Sequence, residues 1–200
     1  MVKSMETSQT LLISRSRWVS ITATMTALAL VGNYVLVAIP NVELGSAILF
    51  VTGYVFGFEM AAWCVLLVSI IFGAINPWGG FVPQIWITQL VGWLFIAVSG
   101  AILGNQPNKR DVVTDYRLLG MLGAFLTLFF DLITNLGWAW AGGLPYWTVV
   151  LSGIPFMIIH IASNTVIFAA VPPQLSKIVL THFREAIWTP RDNLELGREE

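Results

Sequence analysis

Basic residues are confined to three short stretches of this chain, and the sequence between those stretches is apolar. These residues are Lys3, Arg15 and Arg17 before the first apolar run, Lys109, Arg110 and Arg117 near the middle, and Lys177, Arg184, Arg191 and Arg198 in the tail. Lys and Arg that flank membrane-spanning segments stay on the cytoplasmic side. The pattern predicts that both ends and the middle segment face the cytoplasm, with an even number of crossings between each pair of basic stretches.

The composition agrees with a chain that lies mostly in lipid. Of its 200 residues, 56% are hydrophobic and only 10% are charged, and the mean hydropathy is +0.78. A soluble domain carries roughly 25% charged residues. We therefore expect an all-α polytopic membrane protein with one membrane domain. The single cysteine, Cys64, excludes an internal disulfide and a multi-cysteine metal site.

Four apolar runs have the length of about 20 residues that a membrane-spanning helix needs. They cover residues 18–39, 83–104, 118–140 and 147–171, and Pro172-Pro173 is expected to end the last one. The first run is long enough to span, so we interpret it as a retained helix rather than a signal peptide.

The apolar region 44–75 is long for one helix and short for two. The basic stretches before and after it share a face of the membrane, and the runs 18–39 and 83–104 between them each cross once. The region 44–75 must therefore cross twice or not at all. Gly53, Gly57 and Glu59 indicate a tight turn, so we predict two short helices near 44–56 and 60–75. A re-entrant hairpin is the alternative.

The resulting architecture has six transmembrane helices with both termini in the cytoplasm. Residues 1–17 form a cytoplasmic N-terminal segment, residues 18–172 the membrane domain, and residues 173–200 a cytoplasmic tail. Apolar residues recur at helical spacing in the first part of that tail. This spacing is typical of a helix on the inner membrane surface, and an extension of the sixth helix is the alternative.

Polar residues at membrane depth are candidates for a ligand site, because buried ionisable groups in lipid usually face a cavity or a partner. Asp131 and Asn135 are four residues apart on the fifth helix, and His160 and Asn164 form a similar pair on the sixth. These two helices are antiparallel neighbours, so the stripes can face each other. An Asp131–His160 pair could be structural, could relay protons, or could support a ligand.

Other candidates lie toward the outer ends of the helices. They are Asn33 and Tyr34 in the first helix, Gln84 and Gln89 in the fourth, and the aromatic residues Trp78, Trp86, Trp138, Trp140, Tyr146 and Trp147. Asn and Gln in spans often only bond a neighbouring helix. The aromatic residues are typical of an interfacial belt, and stacking on a flat ligand is the alternative.

The sequence contains no phosphate-binding loop of the Walker type, no H-E-x-x-H and no G-x-S-x-G. We therefore expect a protein that is not an enzyme, with no cofactor, no metal and no nucleic-acid partner. Ala23 and Ala27 have the small-xxx-small spacing that lets another helix approach closely. That helix could belong to a partner protein or to the same bundle.

Taken in order, several segments resemble the substrate-binding S components of energy-coupling factor (ECF) transporters. These segments are Ala23-xxx-Ala27, the loop residues 40–44 (PNVEL), the turn residues 53–57 (GYVFG) and residues 130–135 (FDLITN). The resemblance covers residues 15 to 172. It implies a six-helix vitamin-binding bundle that works with a membrane scaffold subunit and two ABC-type ATPases. It further implies that Ala23 and Ala27 contact the scaffold and that the loop 40–44, with Glu43, closes over the ligand.

The expected function is therefore capture of a water-soluble vitamin or precursor at a prokaryotic plasma membrane. The predicted binding residues are Asn33, Tyr34, Glu43, Trp78, Gln89, Asp131, Asn135, Trp138, His160 and Asn164. The aromatic rim and scarce charges favour a cobalamin-type ligand, followed by riboflavin. Two other functions stay open: a solitary proton-coupled transporter that uses Asp131 and His160, and a membrane-embedded assembly factor without a small ligand.

Overall fold

The computed structural model describes residues 15–77, 79–106, 113 and 115–182. Within them the regular structure consists of six helices. In chain order these are α1 (Arg15–Tyr34), α2 (Gly45–Phe56), α3 (Phe58–Ala74), α4 (Pro83–Gly104), α5 (Tyr116–Gly142) and α6 (Tyr146–His182). The predicted all-α class is confirmed for this part of the chain. Lys109, Arg110 and the tail beyond 182 lie outside the described residues.

Three of the helices are long and apolar enough to cross a membrane. These are α4, α5 and α6, of 22, 27 and 37 residues. The apolar helices α2 and α3 are shorter, with 12 and 17 residues. In α1 the apolar positions are interspersed with serine and threonine, which lowers its hydropathy. Length and composition thus support a membrane protein with at least these three candidate spans.

The two short helices predicted within 44–75 are confirmed as helices. They meet at Gly57, whose φ of 85° lies in the left-handed region that glycine adopts without strain. The Gly57 N–H also donates to the Gly53 carbonyl, which closes the last turn of α2. The connection between α2 and α3 is therefore a single residue, Gly57.

Helix α2 lies at the centre of the bundle, in contact with α1, α3, α4 and α6. Residues 45–54 are all buried, which explains why this segment is apolar on every side. Its C-terminal half packs closely on α4 because the contacts are made by glycines, which have no side chain. A Cβ added to Gly53 would overlap the Ala97 carbonyl oxygen, and one added to Gly100 would overlap that of Phe50.

Helix α1 is shorter than the sequence predicts. It ends at Tyr34, although the apolar run continues to Ile39, so the predicted helical end at residue 39 is wrong. The Val37 N–H donates to the Tyr34 carbonyl and the Ile39 N–H to that of Leu36, as in tight turns. Pro40 has no N–H and disfavours helical geometry in the residue before it. Residues 35–44 consequently form a non-helical connection, here called the α1–α2 loop.

Helix α6 is longer than predicted. It continues through Pro172 and Pro173 to His182, so the predicted end at these prolines is wrong. Proline removes a helical hydrogen bond but does not end a helix whose following turns are held by packing. Ser176 and Val179, beyond the prolines, are both buried. Up to residue 182 the tail is thus an extension of α6, the alternative left open above.

Candidate ligand-binding site

Two buried ionisable side chains meet between α5 and α6. The His160 Nδ1 atom lies 2.7 Å from the Asp131 Oδ1 atom, so the predicted facing of the two polar stripes is confirmed. An ionised carboxylate only accepts hydrogen bonds, so with Asp131 ionised the proton of this contact is on Nδ1. The Nε2 atom of His160 is then left on the opposite edge of the ring.

A second carboxylate approaches that opposite edge. The Glu43 Oε1 atom lies 4.0 Å from His160 Nε2. The other carboxylate oxygen of Glu43 accepts the Ser46 N–H at 2.8 Å, in the first turn of α2. A helix N-terminus carries a partial positive charge of about half a unit, which stabilises an anion there. The imidazole is therefore positioned between two carboxylates that come from different segments.

The surroundings of Glu43 favour its ionised form. Burial acts to raise the pKa of this carboxyl, but the adjacent His160 imidazole and the hydrogen bond from Ser46 lower it by more. The pKa of Glu43 consequently lies below its ordinary value.

A cavity of about 170 Å³ opens beside this arrangement. The α1–α2 loop contributes nearly half of its lining, and every helix except α2 supplies the rest. The lining residues are Asn33, Val37, Ile39, Asn41, Val42, Glu43, Phe72, Gln89, Trp93, Phe130 and His160. The cavity thus lies beyond the N-terminus of α2, where the short central helix leaves space in the bundle.

Several buried polar atoms in this lining have no hydrogen-bond partner. They are Nδ2 and Oδ1 of Asn33, Oε1 of Glu43 and Nε2 of His160. Buried polar groups in native proteins are nearly always paired. Unpaired donors and acceptors that share one cavity are typical of a site that binds a polar molecule.

The apolar part of the lining is a continuous series of aromatic rings. Trp93 lies with its ring centroid 5.9 Å from that of Phe72 and 5.8 Å from that of Phe130. The ring of Phe130 in turn meets the edge of the His160 imidazole at 5.9 Å. Aromatic contacts of this kind fix ring orientation, so the wall opposite the loop is ordered.

The α1–α2 loop is held against α6 through Asn41. Its side-chain Nδ2 donates to the Phe156 carbonyl at 3.1 Å, and its own carbonyl accepts from the Ser163 hydroxyl at 3.1 Å. Asn41 has a φ of 60°, a conformation that asparagine tolerates better than most residues. Two hydrogen bonds from one residue therefore join the loop to the helix that carries His160.

The structure brings four of the predicted binding residues into the cavity: Asn33, Glu43, Gln89 and His160. Asp131 contacts His160 from behind rather than lining the cavity. The other predicted residues lie outside the cavity lining. Asn135 donates to the Asp131 carbonyl, and Tyr34 donates to the Ile75 carbonyl. Asn164 is buried in the bundle, and Trp138 is 58% exposed. Trp78 lies outside the described residues.

The remaining lining residues were not predicted individually, although Asn41 and Val42 belong to the loop 40–44 that the resemblance places over the ligand. Asn41 could have been suspected, because asparagine after proline is typical of a turn. The apolar members, Val37, Ile39, Val42, Phe72, Trp93 and Phe130, carry no signal that separates a cavity wall from an ordinary core. Outside the cavity, Ala23 and Ala27 lie on the exposed face of α1, where another helix has access to them.

No family model, curated protein or solved structure matches this chain.

Proposed function

We propose that this chain is the ligand-binding subunit of a membrane importer of the ECF S-component type. In this proposal the bundle crosses the membrane six times with both termini in the cytoplasm. It captures a water-soluble vitamin or vitamin precursor from outside a prokaryotic cell and has no enzymatic activity of its own. A scaffold subunit and two ABC-type ATPases then drive delivery of the ligand inward.

The observation that carries the proposal is the cavity under the α1–α2 loop. It combines an aromatic wall with unpaired polar atoms of Asn33, Glu43 and His160. Small-molecule sites have this character, with apolar walls and a few placed polar groups. The sequence resemblance implies a ligand-covering first loop at the same residues, so two independent arguments favour this place.

The orientation follows from the basic residues. Among the described residues, the basic residues are separated by 14 to 18 positions from the polar residue on the same helix. The pairs are Arg15 and Arg17 with Asn33, Arg117 with Asp131, and Lys177 with His160. At 1.5 Å per residue this is roughly 20–27 Å. Basic residues stay in the cytoplasm, which supports a cavity in the outer half of the bundle.

The cavity volume restricts the ligand. Pockets for drug-sized ligands occupy roughly 300–1,000 Å³, whereas the volume of this partly open cavity is about 170 Å³. A compact ring compound fits this space better than a corrinoid or riboflavin. Cobalamin, which composition favours, is larger than this space.

The decisive experiment is mass spectrometry of small molecules that co-purify with the chain, followed by uptake assays of the molecule found. We expect one tightly bound compound and uptake that vanishes in a strain without the ATPases. A chain that carries and binds no small molecule would contradict the proposal and favour an assembly factor.

Docking through α1 is tested separately with the double substitution Ala23→Trp and Ala27→Trp. Bulky rings on a small-residue face block close helix approach, so ATP-dependent uptake should be lost while ligand binding stays within twofold. Met121→Trp is the matched control, because Met121 is exposed on α5. Unchanged uptake in the double variant would make the docking assignment wrong.

A second candidate is a solitary proton-coupled transporter, and the 2.7 Å contact between Asp131 and His160 favours it. Buried carboxylate–histidine pairs are a common element of proton relays in membrane transporters. Uptake would then persist without the ATPases and collapse with an uncoupler. The two uptake assays therefore separate the candidates.

A further inference from the structure

The charges around the cavity are unequal. Asp131 and Glu43 contribute two carboxylates, and His160 between them contributes at most one positive charge. The N-terminus of α2 adds a partial positive charge of about half a unit beside Glu43. With both carboxyl groups ionised, the sum is negative whether the imidazole is neutral or protonated.

No Lys or Arg within the described residues is near enough to compensate this charge. The four that the structure describes, Arg15, Arg17, Arg117 and Lys177, lie on the same helices as the site but roughly 20 Å or more away along them. A buried net charge is costly in a low-dielectric interior. A cationic ligand would supply the balancing charge.

Two further observations concern the side chains that face the cavity. The His160 side chain is 8% exposed and the Glu43 side chain 18% exposed. Their facing atoms Nε2 and Oε1 lie 4.0 Å apart, within ion-pair distance, and neither has a hydrogen-bond partner. Asn33 also lines the cavity and is 5% exposed. Its Oδ1 atom lies against the backbone of Gly45 in α2, and neither of its polar atoms has a hydrogen-bond partner. These groups point to a ligand and not merely to an acidic cluster.

The geometry disfavours a metal ion as that ligand. The two carboxylates contact opposite edges of one imidazole ring, Asp131 at Nδ1 and Glu43 near Nε2. They therefore do not converge on a common point, as the ligands of a metal would. The aromatic wall of Phe72, Trp93 and Phe130, by contrast, suits a flat organic cation, because ring faces attract positive charge.

We infer that the ligand of this cavity is a ring compound with a positively charged nitrogen, protonated or quaternary, placed between Glu43 and the face of the aromatic wall. This inference rests on the proposed function and narrows its ligand class. The same charge balance disfavours anionic vitamins and precursors. Glu43 acts as the residue that selects for charge, while Asn33 and Gln89 bind the neutral polar groups of the ring.

The test uses the purified full-length chain and three pyridine compounds of similar size: 1-methylnicotinamide (cation), nicotinamide (neutral) and nicotinate (anion). Calorimetric titration should give the highest affinity for the cation and the lowest for the anion, with the cation at least tenfold tighter than the anion.

The co-purifying molecule of the wild-type chain, identified by mass spectrometry, should carry a positive charge at neutral pH.

Glu43→Gln keeps the size of the side chain and removes its charge. We expect it to weaken binding of 1-methylnicotinamide about tenfold, roughly 1.4 kcal/mol, and to leave nicotinamide within twofold. Glu59→Gln is the matched control, because Glu59 is exposed at the start of α3, near the other end of the bundle. Melting temperatures of both variants show that the fold is retained.

Equal affinities for the three compounds, tighter binding of nicotinate, or an unchanged preference in Glu43→Gln would overturn the inference. A co-purifying molecule that is neutral or anionic would overturn it too, while the proposed function would stand. The proposed function itself fails if the chain binds no small molecule and supports no ATPase-dependent uptake.

Discussion

The two ends of α2 have opposite surroundings. Toward its C-terminus the backbone of α2 lies directly on α4, because Gly53 and Gly100 leave no side chain between them. Beyond its N-terminus lies a cavity with unpaired atoms of Asn33, Glu43 and His160. The N-terminus of α2 is also in close contact with α1, where a Cβ added to Gly45 would overlap the Asn33 side chain, but beside that contact lies open space with unpaired polar atoms. Among the described residues, the contact of α2 with α4 has neither open space nor unpaired polar atoms. This difference indicates that the close-packed end holds the bundle together while the open end remains free for a ligand.

The largest effect is expected from filling the close-packed end. In Gly100→Val, the new side chain overlaps the Phe50 carbonyl oxygen, and neither backbone can move alone. Overpacking of this kind costs about 3 kcal/mol, so the melting temperature of the detergent-solubilised protein should fall sharply. Gly142→Ala is the control, because its Cβ meets only Leu144 at ordinary distance. A Gly100→Val protein as stable as wild type would show that the helices are not in close contact.

The next largest effect is expected from breaking the buried contact between Asp131 and His160 beside the cavity. Asp131→Ala removes the acceptor for His160 Nδ1 and leaves a buried donor unpaired. We expect a loss of about 2 kcal/mol in unfolding free energy, measured by denaturant titration.

The matched variant is Asp131→Asn, which retains an acceptor oxygen and should lose less. If both substitutions leave stability unchanged, the pair has no structural role.

A smaller effect is expected at the hydrogen bonds of the loop. Asn41→Gly keeps the positive φ without strain and removes the side-chain donor to Phe156. One lost hydrogen bond is worth about 1 kcal/mol, so the ligand should dissociate about fivefold faster in stopped-flow fluorescence. An unchanged dissociation rate would mean that the loop does not control release.

The smallest effect is expected for an aromatic residue outside the cavity. Trp138 is 58% exposed, so Trp138→Leu should change ligand affinity by less than twofold. Trp93 is 4% exposed and lines the cavity, so Trp93→Leu should weaken binding about tenfold, measured by the same calorimetric titration. A larger loss of affinity in Trp138→Leu than in Trp93→Leu would instead place the ligand at the membrane interface.

The sequence predicts the close-packed end better than the open one. Apolar length and the Gly57 turn predict α2 and α3 to within a few residues, and four-residue spacing predicts that Asp131 and His160 face each other. Hydropathy does not predict that residues 35–39 leave the helix, because their side chains are apolar while the constraint is the backbone of Pro40. Nor does it separate Phe72 or Trp93 from core residues, since a cavity wall and a core use the same residues.

The length of α6 affects how the site can be observed. Between His160 and His182 the helix is uninterrupted, and 22 residues (182 minus 160) correspond to about 33 Å. A spin label introduced at the C-terminal end of α6 would move whenever this helix tilts, by a distance that scales with that length. Tilting of α6 could thus be followed from a position far from the cavity, without a probe inside it.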